Sequence, residues 1–222
     1  LGLIPAVAKI APSVLGADFA HLADDIASAE HAGAQMFHLD IMDGHFVPNL
    51  SFGPGIVKVI NGLTDKFLDV HLMLSEPEKY FKSFVKAGAD SVTFHLEVHP
   101  DPVKYAREIK EYGIKAGISV NPDMPLERVL PFLEYFDFLL IMSVFPGFGG
   151  QQFMTSALPK ISSARKYING NRLKTLIEVD GGIDETNLYR VIGEGADILV
   201  MGTGFFGHND RAEIVKKVSG YR

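Results

Sequence analysis

Eight short apolar segments recur along the 222-residue chain, amphipathic stretches separate them, and polar or ionisable side chains collect where the apolar segments end. These three observations predict an α/β protein of the (β/α)8 TIM-barrel class, folded as a single domain over residues 1–222. A doubly wound open sheet is the structural alternative. No linker, low-complexity tract or block of charge divides the chain.

The apolar start "LGLIPAVAKIAPSV" lacks a basic leader and an obvious cleavage site, so it is read as leading into the first strand, 8–14. The chain begins without methionine, which suggests that it has been trimmed or tagged. The further strands expected are 35–41, 67–73, 91–97, 114–120, 138–144, 175–180 and 197–202. Apolar spacings of three and four predict helices over 17–32, 77–87, 102–112 and 157–168. The tetrapeptides "AGAQ", "AGAD" and "EGAD" each stand just before a strand, where glycine ends a helix and turns the chain.

Hydrophobic residues make up 47% of the chain, enough for a sizeable core, and the formal net charge is −6. That acidic balance argues against a nucleic-acid partner, because no basic field exists to displace counterions. A small phosphorylated molecule remains compatible, since a few amides or one cation serve it locally. There are no cysteines, which excludes disulfides, thiolate catalysis and thiolate metal sites and fits a reducing, cytoplasmic setting. No apolar run approaches the length of a membrane span, so no membrane partner is expected.

In a parallel barrel the chemistry sits at the C-terminal ends of the strands. Ser13 falls at the first strand end, His38 and Asp40 at the second, and His71 at the third. His95 and Glu97 fall at the fourth, Asn121 after the fifth and Ser143 at the sixth. Asp180 ends the seventh, and Thr203 follows the eighth. His38 and Asp40 are two apart and share a face of their strand. If that face is the barrel interior, an unpaired aspartate there is costly, and a divalent cation resolves the cost. Read singly, each histidine is an ordinary satisfied core residue. As four residues on three strand ends, His38, Asp40, His71 and Asp180 form an N2O2 set suited to zinc, manganese, iron or cobalt. His95 and Glu97 are either partners of those ligands or plain rim residues, and the rim reading is preferred. Asp43 and His45 read as turn and loop surface.

Three glycine-rich turns follow the late strands: "SVFPGFGGQQF", "DGGI" and "MGTGFFG". Such turns leading into helices bind anions, and barrels hold phosphate near their last two strands. No P-loop lysine is present, and "GTGFFG" fails as a dinucleotide fingerprint. A metal at the barrel mouth with a phosphate grip beside it points to a small phosphorylated substrate. Asp40 and Asp180, from strands well apart around the ring, suit proton removal on one face and return on the other at a carbon beside a carbonyl.

The motifs "KIAPSVLGADFAHL", "HLDIMDGHFVPN", "DVHLM", "SVFPGFGGQQF" and "EVDGGI", in this order from about Lys9 to Phe206, resemble those of ribulose-phosphate 3-epimerases. The resemblance implies a ribulose-phosphate-binding barrel that interconverts D-ribulose 5-phosphate and D-xylulose 5-phosphate in the pentose phosphate pathway. It implies one divalent metal on His38, Asp40, His71 and Asp180, with Asp40 and Asp180 exchanging the roles of proton acceptor and donor. It also implies substrate contacts from Ser13, His71, Gly147, Phe148, Gly149, Gly150, Asp180, Gly181, Gly182, Gly202 and Thr203. Met42, Met73 and Met142 would line the site, and a homo-oligomer is expected.

Phe145 stands where the family usually has asparagine, Thr203 where it has serine, and the tail "GTGFFGHND" departs from the usual pattern. That tail leans toward D-allulose-6-phosphate 3-epimerases, whereas the intact "GFGG" and "DGG" favour the pentose substrate. A barrel that binds a sugar phosphate without turning it over is the non-enzymatic alternative. No lysine ends a strand, which argues against a phosphate-binding barrel decarboxylase.

Overall fold

A computed structural model describes residues 7–221; the first six residues of the apolar start, and residue 222, lie outside the described residues. The eight strands are β1 Lys9–Pro12, β2 Met36–Met42, β3 Phe67–Met73, β4 Ser91–His95, β5 Lys115–Val120, β6 Phe138–Met142, β7 Leu176–Asp180 and β8 Ile198–Met201. All pair in parallel in the order β1-β8-β7-β6-β5-β4-β3-β2. The two ends of that order meet at a parallel bridge, Ser13↔His38, which brings the sheet round into the expected barrel.

The helices are α1 Leu22–His31, α2 Pro54–Asn61, α3 Phe81–Ala87, α4 Pro102–Lys110, α5 Ala157–Gly170, α6 Leu188–Gly193, α7 Thr203–Phe206 and α8 Arg211–Ser219. Three of these, α2, α7 and α8, are absent from the sequence reading, which gives α6 only by its end at "EGAD". Between β5 and β6 the chain makes only 3-10 turns, Leu126–Arg128 and Leu130–Tyr135. The helix expected over 17–32 starts late, because Asp18 accepts the Ala20 amide and caps a 3-10 turn first. The expected strands 8–14, 91–97 and 138–144 each end early. After β1 the chain turns at Val14–Gly16, so that Gly16 can lie against the backbone of Gly202. After β4 it turns at Leu96–Val98, which takes Glu97 off the strand. Among the described residues no helix is long and apolar enough to cross a membrane.

Alternation along the strands divides the side chains into two populations. Phe37, Leu39 and Ile41 of β2, with Leu68, Val70 and Leu72 of β3 and their counterparts on the other strands, belong to the main apolar core. That core also takes in Ile26 of α1, Val57 and Ile60 of α2, Phe84 of α3 and Ile109 of α4, which are buried. The opposite faces fill the barrel. Met36, Phe138, Leu140, Ile198 and Val200 form an apolar plug there with Ala11 and Met142. The same interior also holds buried polar groups, among them His38, Asp69, His71, Ser91, Thr93, His95, Ser119 and Glu178.

The loops at the C-terminal rim are tied by specific bonds. Asp43, after β2, accepts the amides of His45 and Phe46 through Oδ1 at 2.8 Å each and that of Ser75 through Oδ2 at 2.8 Å. It is thus a clamp from the β2 loop to the end of β3. Lys160 of α5 donates to the carbonyls of Asn121, Pro122 and Met124 at 3.0, 3.0 and 2.8 Å, holding the turn after β5. Partial burial pushes the Asp43 carboxyl up, but the amides of Ser75, His45 and Phe46 outweigh it and hold the group below its ordinary value. A carboxylate favoured in this way stabilises the fold above its unfolded pKa, and the gain is lost as pH falls through the folded value. Asp43→Ala is therefore expected to cost about 1–3 kcal/mol at pH 7. In urea denaturation the deficit should stay constant down to about pH 4 and narrow below it. A deficit that instead narrows toward alkaline pH would contradict the clamp.

Candidate metal centre and active site

The registers of neighbouring strands assemble the centre. In the β2–β3 pair His38 stands opposite Asp69, Asp40 opposite His71 and Met42 opposite Met73. All six side chains share the inner face, because each set is spaced by two. Asp180 ends β7 on the other side of the ring and also points inward. Ligating atoms of His38, Asp40, His71 and Asp180 all lie within 4.8 Å of one another. His38 Nε2 is 3.3 Å and His71 Nδ1 3.2 Å from Asp40 Oδ1, and the two nitrogens are 3.4 Å apart. Three lone-pair atoms thus converge on one point, and a cation there would satisfy all three together with Asp180. The set fits a divalent metal of the zinc, iron, manganese or cobalt kind.

Other buried groups hold these atoms in place. His38 Nδ1 lies 2.7 Å from Asp69 Oδ2, and Ser91 Oγ donates to Asp69 Oδ1 at 2.5 Å. With Asp69 as acceptor, His38 keeps a proton on Nδ1, so Nε2 is the nitrogen that would give up its proton and offer a lone pair to a metal. Glu178 Oε1 is 3.7 Å from the same Nδ1. Ser13 Oγ donates to Asp40 Oδ2 at 2.5 Å, leaving Oδ1 for the histidines. The sequence reading passes over Asp69 and Glu178. A signal was present: each precedes an expected ligand, His71 or Asp180, by two residues and so faces the same way.

Charge is distributed unevenly over the carboxyl groups. Burial raises the Asp40 pKa, but the His38 charge and hydrogen bonds from His38 and His71 reverse this and hold it far below the carboxylate range. Asp180 is pushed up to about 7, first by burial and then by the charge of Asp40. Glu178 is pushed up to about 8 by burial and the charge of Asp69. His71 is brought down to about 4, chiefly by burial, against its hydrogen bond to Asp40. His38 is held well above its ordinary value, because the surrounding carboxylates, Asp40 foremost, overcome the cost of its burial. Among the protein groups alone, Asp40 is thus the carboxyl that gives up its proton readily and Asp180 the one that retains it.

Above the centre is a cavity of about 640 Å³, mouth included. Its lining takes in Ser13, Asp40, Asp180 and the three methionines Met42, Met73 and Met142. It also takes in Gly147, Phe148, Gly149, Gly150, Gly181, Gly182, Gly202 and Thr203. Leu15, Gly16, Val144, Pro146, Gln151, Ile183, Val200 and Gly204 line it as well and are missed by the sequence reading. His38 and His71 are fully buried and lie outside the lining. Phe145 is half exposed and also outside the lining. Its backbone carbonyl accepts from Gln151 Nε2 at 2.7 Å. His45 is exposed, as expected of loop surface. His95 is not a rim residue: it is fully buried, with Nε2 at 2.8 Å from Nε2 of His71.

The glycine loops close tightly around this space. Gly182 has φ +64°, and a Cβ there would run into the Phe153 amide nitrogen. Asn49 Nδ2 donates to the Gly147 carbonyl at 2.7 Å, Gln151 Nε2 to that of Phe148 at 2.9 Å, and Asn187 Nδ2 to that of Gly182 at 2.9 Å. Side-chain amides thus take up carbonyl oxygens of the loops.

Comparison with known proteins agrees with this architecture. The model of the ribulose-phosphate 3 epimerase family matches residues 9–206. Ribulose-phosphate 3-epimerase of Bacillus subtilis is 44% identical over 213 residues, covering 96% of this chain and 98% of that protein. Its counterpart from Synechocystis is 46% identical, covering 94% and 92% respectively. Among solved structures, phosphoribosyl anthranilate isomerase of Thermotoga maritima superposes with a TM-score of 0.68 at 17% identity, covering 96% of this chain and 99% of that one. That likeness extends to the barrel alone. The match over nearly the whole length and the identity to these relatives establish that the chain belongs to the ribulose-phosphate 3-epimerase family.

Proposed function

We propose that this chain is a metal-dependent isomerase that inverts carbon 3 of D-ribulose 5-phosphate to give D-xylulose 5-phosphate through an enediolate, with Asp40 and Asp180 as the acid/base pair. The observation that carries this reading is the pair of carboxyl groups, Asp40 on β2 and Asp180 at the end of β7, that line one cavity beside the His38 and His71 nitrogens. Two carboxyl groups facing one cavity from different strands provide a base and an acid for a bound sugar.

One aspartate takes the proton of carbon 3 from one side of the sugar, and the other returns a proton to the opposite side. In the reverse reaction the roles exchange. The Ser13 hydroxyl, bonded to Asp40 Oδ2, fixes the direction in which that carboxylate points. Met42, Met73 and Met142 supply an apolar wall that keeps water from competing for the transferred proton. A divalent cation held by His38, Asp40, His71 and Asp180 would supply positive charge where negative charge develops on the substrate's carbonyl oxygen. Among the described residues, no lysine or arginine lines the cavity. The phosphate is therefore assigned to backbone amides of the glycine loops, whose carbonyls at Gly147, Phe148 and Gly182 are already occupied.

Asp40→Asn and Asp180→Asn are each expected to lower turnover of D-ribulose 5-phosphate by about 10²–10⁴-fold while leaving the fold intact. The check is xylulose 5-phosphate formation, together with entry of solvent deuterium at carbon 3. Near-wild-type turnover in either variant would sink the two-aspartate assignment. D-allulose 6-phosphate, assayed beside the pentulose, is expected to be the poorer substrate, and a preference for the hexulose would move the assignment to that sugar.

Asp69→Asn should leave the carboxylates of the centre in place but weaken control of the His38 ring. Metal affinity, read by competition with a chromogenic chelator, is expected to fall by about 10–100-fold. Activity should return when metal is supplied in excess. Unchanged affinity would remove Asp69 from this role.

A further inference from the structure

Behind His71, on the side away from the cavity, runs a line of groups that the proposed reaction does not use. His71 Nε2 is 2.8 Å from Nε2 of His95. The ring centroids are 5.0 Å apart, so the two nitrogens face each other edge to edge between the rings, the arrangement of an N–H···N bond. His95 Nδ1 is buried without a hydrogen-bond partner and lies 3.6 Å from Glu97 Oε2. Glu97 Oε1 accepts the Asn121 amide at 3.0 Å, and the carbonyl of Asn121 is one of the three held by Lys160.

A bond between two uncharged imidazoles needs one donor and one acceptor, so the rings have two exclusive arrangements. In the first, His71 carries its proton on Nε2 and donates to His95, which carries its own on Nδ1 facing Glu97. His71 Nδ1 then has a free lone pair toward His38 and Asp40. In the second, His95 donates to His71, whose proton sits on Nδ1 and faces Asp40 Oδ1 at 3.2 Å. That arrangement closes His71 to a metal. The two differ in which His95 nitrogen faces the Glu97 carboxylate as an N–H.

We propose that His95 and Glu97 are positioning residues that select the metal-binding tautomer of His71. Glu97, held through Oε1 by the turn after β5, presents Oε2 to a protonated Nδ1 of His95 and repels a lone pair there. His95 Nε2 is thereby left as an acceptor, and His71 is set with its lone pair toward the metal centre. This rests on the metal reading above and adds a control that the four ligands do not contain. It also gives a reason for the strand to end at His95: the 3-10 turn at Leu96–Val98 brings Glu97 round to the far nitrogen of the same ring.

The test uses the full chain with zinc as the probe. Long-range ¹H–¹⁵N spectra of ¹⁵N-histidine-labelled, zinc-loaded protein are expected to show His71 protonated on Nε2 and His95 protonated on Nδ1. A His95 ring protonated on Nε2 overturns the proposal. Glu97→Gln keeps the size of the side chain but also offers an N–H, so it no longer selects. Its zinc affinity is expected to fall about 10–100-fold with the metal-free melting temperature unchanged. His95→Phe should lose at least as much, and His95→Gln, whose carboxamide oxygen can accept from His71, should recover part of the loss. Wild-type affinity in Glu97→Gln and His95→Phe overturns the selection while leaving the metal centre standing. Failure of the wild-type chain to bind zinc, iron, manganese or cobalt overturns the metal centre and this proposal together.

Discussion

Asp40 is a carboxylate turned into the interior of a barrel, only 4% exposed. A charge in that position is tolerable only where other groups surround it with donors or opposite charge. Much of the inner face around it follows from that requirement. Ser13 takes one oxygen, and His38 and His71 converge on the other. Asp69 anchors His38, and Ser91 anchors Asp69. The same shortage of solvent leaves Glu178 and Asp180 holding protons more tightly than ordinary carboxyl groups. Ser13, Asp40, His38, Asp69 and Ser91 thus form one polar network in which each member faces the next, whereas both oxygens of Glu178 and Nδ1 of His95 are buried without a hydrogen-bond partner.

Stability and chemistry are assigned to different faces of the same strands. On β2, Phe37, Leu39 and Ile41 face the helices and join the main core, while Met36, His38, Asp40 and Met42 face inward. A substitution at an outward position acts through packing, and one at an inward position near the rim acts through electrostatics and ligand geometry. The inward plug of Met36, Phe138, Leu140, Ile198 and Val200 excludes water from below the charged layer. That low-dielectric floor is one reason why the proton affinities above it are displaced so far.

The strands, the ligand set and the glycine loops were legible because each depends on a short-range rule. A spacing of two shares a face, a strand end carries function, and glycine marks a turn. Helix α7 has only four residues, and α6 only six, so that α6 shows by its end at "EGAD" alone. The segment after β5, where an alternating pattern would place a helix, forms 3-10 turns, with Pro125 and Pro131 in it. Asp69 and Glu178 are not marked by the strand-end rule because each lies two residues deeper than the strand-end residue His71 or Asp180. A strand over 91–97 places His95 at the rim, whereas the strand is two residues shorter at that end. With β4 ending at His95 itself, the ring turns inward against His71. Phe145, which departs from the family pattern, drew attention from sequence alone, but its half-exposed side chain leaves the cavity to its neighbours.

The ring is not uniformly sealed. Seven of its junctions are ladders of several paired residues, whereas β1 and β2 are joined by the single bridge Ser13↔His38. That thin seam runs through the centre itself, since Ser13 bonds Asp40 and His38 is a ligand candidate. The ligand candidates stand on β2 and β3 on one side of it and on β7 on the other. A cation bound by all four would act as a rivet across the joint, tying together strands that the backbone ladder leaves loosely stitched. Local breathing of the seam and occupancy of the centre would then be one equilibrium, in which a loaded barrel is also a closed one.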